Sequence, residues 1–334
     1  MTTSAQYFRA ACVAALTVSC RADPVAPPIE QGATLELTTV ALPALDPQRD
    51  GSYEAWVVDA EGRAHSAGRF APVAGGVSLV NPIAGGRAFE ITVEPPGDGN
   101  DQPSAQRLLR GEFAGRRAEL SIVDAVTHGA GLKDVPGTFT MFTPSDNSWD
   151  PYPSHEEAGV WLFNVRPRET PQNDMWVRLT QLRPGWTYEG WMVRDIGTAN
   201  EIWLSYGKFL PDQTGALSEK DDTGWGPFSG VVDFRTNSVE DFPGDDWIAN
   251  PLGYPFPSAL SLPLNLREKD ASGRLRWTHV ISVEPATNKG EAIGSERAFF
   301  LRPYADPFGD ADAGVPRVIT YHPDAVPRGT VEAR

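Results

Sequence analysis

The sequence predicts an all-β protein that consists of two tandem antiparallel β-sandwich domains, the second of which carries a long loop insertion. Two short segments occur twice in the same order: residues 53–58 return as residues 188–193, and residues 91–95 return as residues 281–285. Because matching order distinguishes a duplication from a chance repeat, we expect two copies of one domain. The 32 Gly and 30 Pro residues favour many short strands joined by turns over long helices.

The N-terminal 20 residues are typical of an export signal. A short apolar run at residues 10–18 follows Arg9 and has the length of a signal-peptide core. Residues 16–20 resemble the processing site of bacterial lipoproteins, and this resemblance implies that Cys20 is the lipid-attachment site. An ordinary cleaved signal peptide and an uncleaved N-terminal anchor are the alternatives. We therefore expect a protein that is held by lipid on the periplasmic face of a bacterial membrane.

Cysteine usage and charge restrict the chemistry further. Both cysteines, Cys12 and Cys20, lie in this N-terminal segment, so we expect no disulfide and no thiolate metal site in the remainder. The net charge of -15 disfavours nucleic acid as a partner, because the phosphate backbone would repel the protein. The sequence contains no apolar window of the length that a transmembrane helix requires.

Residues 21–32 are Pro-rich and predict an extended tether in front of the first domain, which we expect at residues 33–125. Polar and apolar residues alternate in segment 34–38, which is the period of a half-buried strand. Segment 52–58 is the next expected strand, with Tyr53, Ala55 and Val57 on one face. Further strands are expected at residues 64–70, 88–94, 106–113 and 118–123. This spacing of strands is typical of a β-sandwich.

The second domain is expected at residues 135–305, with strands at residues 138–143, 159–165, 175–182, 187–193 and 202–209. The repeated segments begin 38 residues apart in the first copy, from Tyr53 to Ile91, and 93 residues apart in the second, from Tyr188 to Ile281. The difference predicts a loop insert at residues 210–276, which a sandwich tolerates because loop-closure entropy grows slowly with length. Residues 306–334 lose periodicity and predict an extended tail.

The insert is rich in aromatic residues, and four of them are candidates for binding a partner or a ligand: Trp225, Phe242, Trp247 and Tyr254. Such rings could stack on sugars or anchor a protein interface. The favoured interpretation is that they close the insert into a small core of its own. Trp56 and Trp191 differ from them because they recur in both copies, which predicts a packing role.

Five acidic residues are candidates for binding calcium, since hard oxygen ligands on loops suit this ion: Asp245, Asp246, Asp306, Asp310 and Asp312. The favoured interpretation is that they are solvated loop charges, because adjacent carboxylates diverge and neither stretch matches an EF-hand. None of the five histidines has a recognised metal-binding spacing, and no nucleophile elbow, P-loop or dinucleotide fingerprint is present. The sequence therefore predicts no enzyme and no cofactor other than calcium.

The repeated segments resemble the extracytoplasmic C-terminal domain of anti-sigma-K factor proteins. The matching positions are Tyr53, Trp56, Gly68, Phe70, Val93, Glu94 and Pro95, and again Tyr188, Trp191, Gly207, Phe209, Val283, Glu284 and Pro285. This resemblance implies a periplasmic β-sandwich. An anti-sigma factor also needs a cytoplasmic helical domain and a membrane-spanning helix, and we expect neither in this chain. Binding to a sigma factor is therefore not expected.

Three functions follow as expectations. The first is a non-catalytic accessory or scaffold subunit that docks on a larger envelope membrane complex, for example a respiratory or photosynthetic one. The alternative is an extracytoplasmic glycan-binding lipoprotein. The third is a sensor-like domain that is related to anti-sigma factors but does not bind sigma. A hydrolase with an unrecognised carboxylate site ranks last.

Overall fold

The computed structural model describes residues 29–132, 137–143, 155–162, 178–211, 243–250, 253, 255–286, 297–308 and 312–334. These residues form sixteen β-strands and two single turns of 3-10 helix, with no α-helix among them. All pairings between the strands are antiparallel, so the all-β prediction is confirmed. Within the described ranges, no helix is long and apolar enough to cross a membrane.

Seven strands lie in the first part of the chain: β1 (Thr34–Val40), β2 (Ser52–Val58), β3 (Ala64–Phe70), β4 (Val77–Val80), β5 (Ala88–Glu94), β6 (Arg107–Ala114) and β7 (Arg117–Leu120). The later strands are β8 (Thr138–Met141), β9 (Gly159–Trp161), β10 (Trp186–Arg194), β11 (Ile202–Phe209), β12 (Gly244–Asp246), β13 (Trp277–Pro285), β14 (Tyr304–Pro307), β15 (Arg317–Val318) and β16 (Arg328–Ala333). The two helical turns are Glu156–Ala158 and Pro323–Ala325.

Eight strands form one sheet, in the order β3-β2-β5-β6-β7-β16-β1-β4, which we call the first unit. Its outermost strands, β3 and β4, approach each other without pairing, so the sheet curls round a common core. Side chains alternate along each strand, and every second one points inward. The inward set of β2 and β5 is apolar and buried: Tyr53, Ala55, Val57, Phe89, Ile91 and Val93.

The second unit consists of two four-stranded sheets, in the orders β11-β10-β13-β14 and β12-β9-β8-β15. The repeated segments occupy equivalent strands in the two units, because β3-β2-β5-β6 and β11-β10-β13-β14 have the same order. A β-bulge also occurs at the same place in each: Ala67 of β3 is the extra residue opposite Ala55 and Trp56, and Tyr206 of β11 is the extra residue opposite Gly190 and Trp191. A shared bulge is a specific feature of a fold, and it supports the duplication that the sequence indicates.

Two segments differ from what the sequence predicts. The segment 306–334 is not a free tail, because β14 and β15 pair within the second unit and β16 lies between β1 and β7 in the first. The segment 210–276 is not one loop, because β12 lies within it and forms an edge of a sheet. The additional residues of the second copy therefore fall on both sides of β12, at 210–243 and 247–276.

The two units contact each other directly. The Trp186 indole nitrogen donates to the backbone oxygen of Arg107 at 3.0 Å, and the Gln106 side chain donates to the backbone oxygen of Gly185 at 3.3 Å. Gly185 has a φ of +100°, and a Cβ atom there would lie 2.6 Å from the backbone oxygen of Ala105. The close approach of the two chains at this junction therefore requires glycine.

Candidate functional site

A chain of buried hydrogen bonds runs across the outer face of β2 and β5 in the first unit. The Trp56 indole nitrogen donates to Thr92 Oγ1 at 2.8 Å, and the Thr92 hydroxyl donates to Glu94 Oε1. The backbone nitrogen of Ser104, in the loop that folds back over the strands, donates to the same oxygen at 3.1 Å. Thr92 and Glu94 are both fully buried, and Oε1 of this carboxyl group is held by groups of the protein.

The second unit repeats this arrangement with different residues. The Trp191 indole nitrogen donates to Ser282 Oγ at 2.8 Å, and the Ser282 hydroxyl donates to Glu284 Oε1. The backbone nitrogen of Phe299 completes the set at 2.8 Å. In both units the hydroxyl residue precedes the glutamate by two positions, because alternate residues of a strand lie on the same face.

A second glutamate extends the network at the neighbouring strand. In the first unit, Glu54 accepts from the Ser66 hydroxyl at 2.5 Å and from Arg69 Nε at 3.0 Å. The corresponding glutamate of the second unit, Glu189, accepts from the Ser205 hydroxyl at 2.7 Å, and Lys208 Nζ lies 3.9 Å away. We call these two networks the first and second carboxylate clusters. Their members are Glu54, Trp56, Ser66, Arg69, Thr92 and Glu94, and Glu189, Trp191, Ser205, Lys208, Ser282 and Glu284.

Burial dominates the electrostatics of Glu94 and Glu284, one in each cluster. It raises the pKa of Glu94, and it raises the pKa of Glu284 to about 6. The hydrogen bonds to Glu284 and the positive charges of Lys208 and Arg302 act in the opposite direction. Arg302 is itself held over the Trp203 ring, 4.3 Å from its centre, and burial lowers its pKa. Desolvation therefore outweighs the favourable contacts at Glu94 and at Glu284.

We predict that replacing Glu284 by glutamine changes how stability depends on pH. Because the pKa of Glu284 is higher in the folded than in the unfolded chain, the native protein takes up a proton more readily. The contribution of protonated Glu284 to the free energy of unfolding is therefore fully present below the unfolded pKa of about 4.5. It is lost as pH rises through about 6. Urea denaturation should show that the free energy of unfolding of Glu284→Gln changes less with pH over this interval than that of the unsubstituted protein. The exposed Glu119→Gln variant is the control, and an unchanged slope in Glu284→Gln would contradict the assignment.

The carboxyl groups of the two clusters connect neighbouring elements of each sheet. Each carboxyl group joins two neighbouring strands or a strand and its covering loop, and each is shielded from solvent. In the described part of the chain, no three His, Cys, Asp or Glu residues lie close enough to hold a metal ion. Trp56 and Trp191 are buried and donate within the clusters, so the packing role that their recurrence predicts is confirmed.

The structure places Trp247, a predicted binding residue, in the hydrophobic core. Its side chain is 1% exposed, and its backbone nitrogen donates to the oxygen of Ala158 at 2.8 Å. This ring packs in the main core of the protein, so Trp247 is neither a surface stacking residue nor part of a separate core of the insert, and both interpretations are wrong for it. The other three aromatic candidates, Trp225, Phe242 and Tyr254, lie outside the described residues, as does Cys20.

The predicted solvated acids Asp245 and Asp246 are buried in β12. Asp246 Oδ1 accepts from the Trp161 indole nitrogen at 2.6 Å, and Asp245 Oδ1 accepts from the Asp246 backbone nitrogen at 2.8 Å. The prediction of loop charge fails because the local Gly, Asp and Pro composition contains no information about Trp161, which is 85 residues away in sequence. These two carboxylates serve the packing of an edge strand.

The remaining calcium candidates do not form a common site in the described residues. Asp306 is buried on β14, where its Oδ2 accepts from the backbone nitrogen of Thr320 at 2.9 Å, and burial raises its pKa. Asp312 lies 3.4 Å from Arg267 in an exposed ion pair. Asp310 lies outside the described residues.

A buried histidine–tyrosine pair was not anticipated from the sequence. Tyr206 Oη lies 2.9 Å from His279 Nε2, and the Phe139 ring stacks on His279 with a centre separation of 4.0 Å. Burial lowers the pKa of His279 to about 3, so the imidazole is neutral at physiological pH. The available signal was a difference between the copies, since Ala55 and Ala67 of the first unit correspond to Gly190 and Tyr206 of the second.

Comparison with known proteins gives one finding. The family model for the C-terminal domain of the anti-sigma-K factor RskA matches residues 10–107. The match includes β1 to β5 and every member of the first carboxylate cluster, so the resemblance to this domain is confirmed for that part of the chain. No curated protein and no solved structure matches the chain.

Proposed function

We propose that this chain is a non-catalytic, extracytoplasmic, sensor-like protein that is related to the C-terminal domain of anti-sigma-K factors and does not itself bind a sigma factor. One observation carries the proposal. The region that matches this family contains a complete carboxylate cluster, and the second unit repeats the cluster with the same hydrogen-bond order. Two related β units in tandem favour a protein that presents a rigid surface to a partner.

The chemistry of the clusters supports a non-catalytic role. An active site needs titratable groups within reach of a substrate. Glu94 and Glu284 are the buried carboxyl groups with raised pKa values in the clusters, and both are bonded to hydroxyl and backbone donors of the protein. Burial of these groups favours a structural role, in which they fix the loops that cover each sheet.

The proposed location rests on the sequence of the first 32 residues. A lipid on Cys20 and a Pro-rich tether would hold the first unit outside the membrane surface.

Lipid attachment can be tested with a matched pair of variants. Cells are fed an alkyne-tagged fatty acid, and the full chain is followed by in-gel fluorescence and membrane fractionation. The Cys20→Ser variant should lose the label and leave the membrane pellet, whereas Cys12→Ser should keep both. A label that persists in Cys20→Ser would contradict lipid attachment at this residue.

Partner binding is tested by crosslinking in intact cells with a reagent that does not enter the cytoplasm, followed by mild-detergent purification and mass spectrometry. The sensor-like role predicts a membrane or envelope protein that is recovered after crosslinking, and no sigma factor. A stoichiometric set of membrane proteins recovered without crosslinking would instead establish an accessory subunit. Recovery of the chain alone after crosslinking would oppose both roles, and tryptophan fluorescence with cell-wall glycans would then test the glycan-binding alternative.

A further inference from the structure

The two units have the same strand arrangement, but one strand of the first unit comes from the far end of the chain. The second unit follows the order β11-β10-β13-β14 in one sheet and β15-β8-β9-β12 in the other. The first unit follows β3-β2-β5-β6 and then β7-β16-β1-β4. Strands at the same position in the two orders therefore correspond: β7 corresponds to β15, β1 to β9 and β4 to β12. The strand that matches β8 is β16.

This correspondence means that the continuous segment 29–132 lacks one interior strand. In the second unit, β8 precedes β9 along the chain and lies beside it in space. In the first unit, the equivalent position between β1 and β7 is filled by Arg328–Ala333. We call this position the acceptor slot. An interior strand differs from an edge strand because both of its sides must be paired.

The acceptor slot is a complete binding site for an extended chain end. β16 pairs with β1 over six residues and with β7 over four. Val331 and Ala333 point into the core and are 0% and 3% exposed. The backbone oxygen of Ala333 accepts from Arg116 Nε at 2.8 Å, and the backbone nitrogen of Arg334 donates to the oxygen of Thr34 at 2.8 Å.

A short hinge connects the second unit to β16. His322 is fixed to the second unit, because its backbone nitrogen and its Nε2 lie 2.8 Å from the oxygens of Pro303 and Ala305 respectively. Only residues 323–327 separate it from β16, and the first and last of these are prolines. Short, stiff hinges next to a terminal strand favour exchange of that strand between copies, since the contacts in the slot are identical in both arrangements.

We propose that the acceptor slot is an interaction site for a second copy of this chain, whose C-terminal strand takes the place of the chain's own β16. Exchange changes no contact inside the slot, so it is governed by the hinge and by protein concentration. Attachment of the protein to a membrane surface would raise its local concentration. Reciprocal exchange gives a closed dimer, and successive exchange gives a chain of copies.

The test uses single cysteines that can react only across two copies. Thr38 and Thr330 are direct cross-strand neighbours whose side chains are not buried. Such neighbours have Cα atoms about 4.5–5.5 Å apart, which suits a disulfide. Full-length Thr38→Cys and Thr330→Cys chains are coexpressed, oxidised and separated without reductant, and the parent chain, with only Cys12 and Cys20, gives the background. Exchange predicts a disulfide-linked heterodimer of the two variants.

The matched control is Thr38→Cys coexpressed with Ser272→Cys, which lies on an exposed turn. We expect about tenfold more heterodimer from the first pair, because the slot holds its two positions together. Equal yields from the two pairs would overturn the proposal. The double variant Thr38→Cys/Thr330→Cys tests the slot within one chain. A within-chain disulfide there, without heterodimer from the mixed single variants, would show that β16 stays in its own chain and would also overturn exchange.

Discussion

Replacing Gly190 by alanine is expected to lower the free energy of unfolding by about 3 kcal/mol, the upper end of the usual cost of overpacking a core. A Cβ atom at this position would lie 1.8 Å from Cζ of Tyr206, far inside van der Waals contact. Tyr206 cannot move aside easily, because its ring is buried and its hydroxyl group is hydrogen-bonded to His279. Urea denaturation followed by far-UV circular dichroism measures the loss.

The duplication supplies the control for this prediction. Ala55 is the equivalent of Gly190, and the bulge residue on the neighbouring strand is Ala67 where the second unit has Tyr206. Ala55→Gly should cost only about 1 kcal/mol, the ordinary penalty of glycine in a strand. The double variant Gly190→Ala/Tyr206→Ala recreates the pair of the first unit, and its loss should be smaller than the sum of the two single losses. Equal losses for Gly190→Ala and Ala55→Gly would contradict the packing argument.

Replacing Val331 by aspartate is expected to cost about 4 kcal/mol, because it places an unpaired charge in the core. Val331 is 0% exposed and lies in an interior strand, opposite Leu37 of β1 and Ala118 of β7. An unstructured tail would tolerate this change without loss. The experiment therefore measures directly whether the last residues of the chain belong to the core.

The neighbouring residue provides the control for Val331. Thr330 is only partly buried and points to the opposite face of β16, so Thr330→Asp should change the free energy of unfolding by less than about 1 kcal/mol. Aspartate is unfavourable in a strand at both positions, so the cost of its low strand propensity cancels when the two variants are compared. Similar unfolding midpoints for the two variants would contradict the position of β16 in the sheet.

The sequence predicted the strands well where the segment itself has strand periodicity and is bounded by turn residues. The expected segments 52–58 and 202–209 coincide with β2 and β11, because turn residues bound each of them. The recurrence of Trp56 and Trp191 also predicted their burial. In such segments the periodicity and the turn chemistry agree with the final fold, which is the usual condition for a correct local prediction.

The predictions failed where the partner of a segment is distant in sequence. The C-terminal residues have a weak strand pattern, and nothing in them identifies β1 as the neighbour. Asp245 and Asp246 have a composition typical of loops, but pairing with β9 and the indole of Trp161 places them in a sheet. The residues of the carboxylate clusters recur in the two repeated segments, but the sequence did not predict that they bond to one another. Hydrogen bonds across strands depend on the register of the strands.

The position of β16 has a consequence for the order in which the protein folds. Chains are synthesised from the N-terminus, and β1 must wait for a partner that lies almost 300 residues later, since Leu35 pairs with Ala333. Contacts of such high sequence separation slow folding and leave an incomplete sheet exposed in the meantime. A stop codon that removes β16 would therefore damage the part of the protein that is made first, while β8 to β15 of the second unit would remain in the chain.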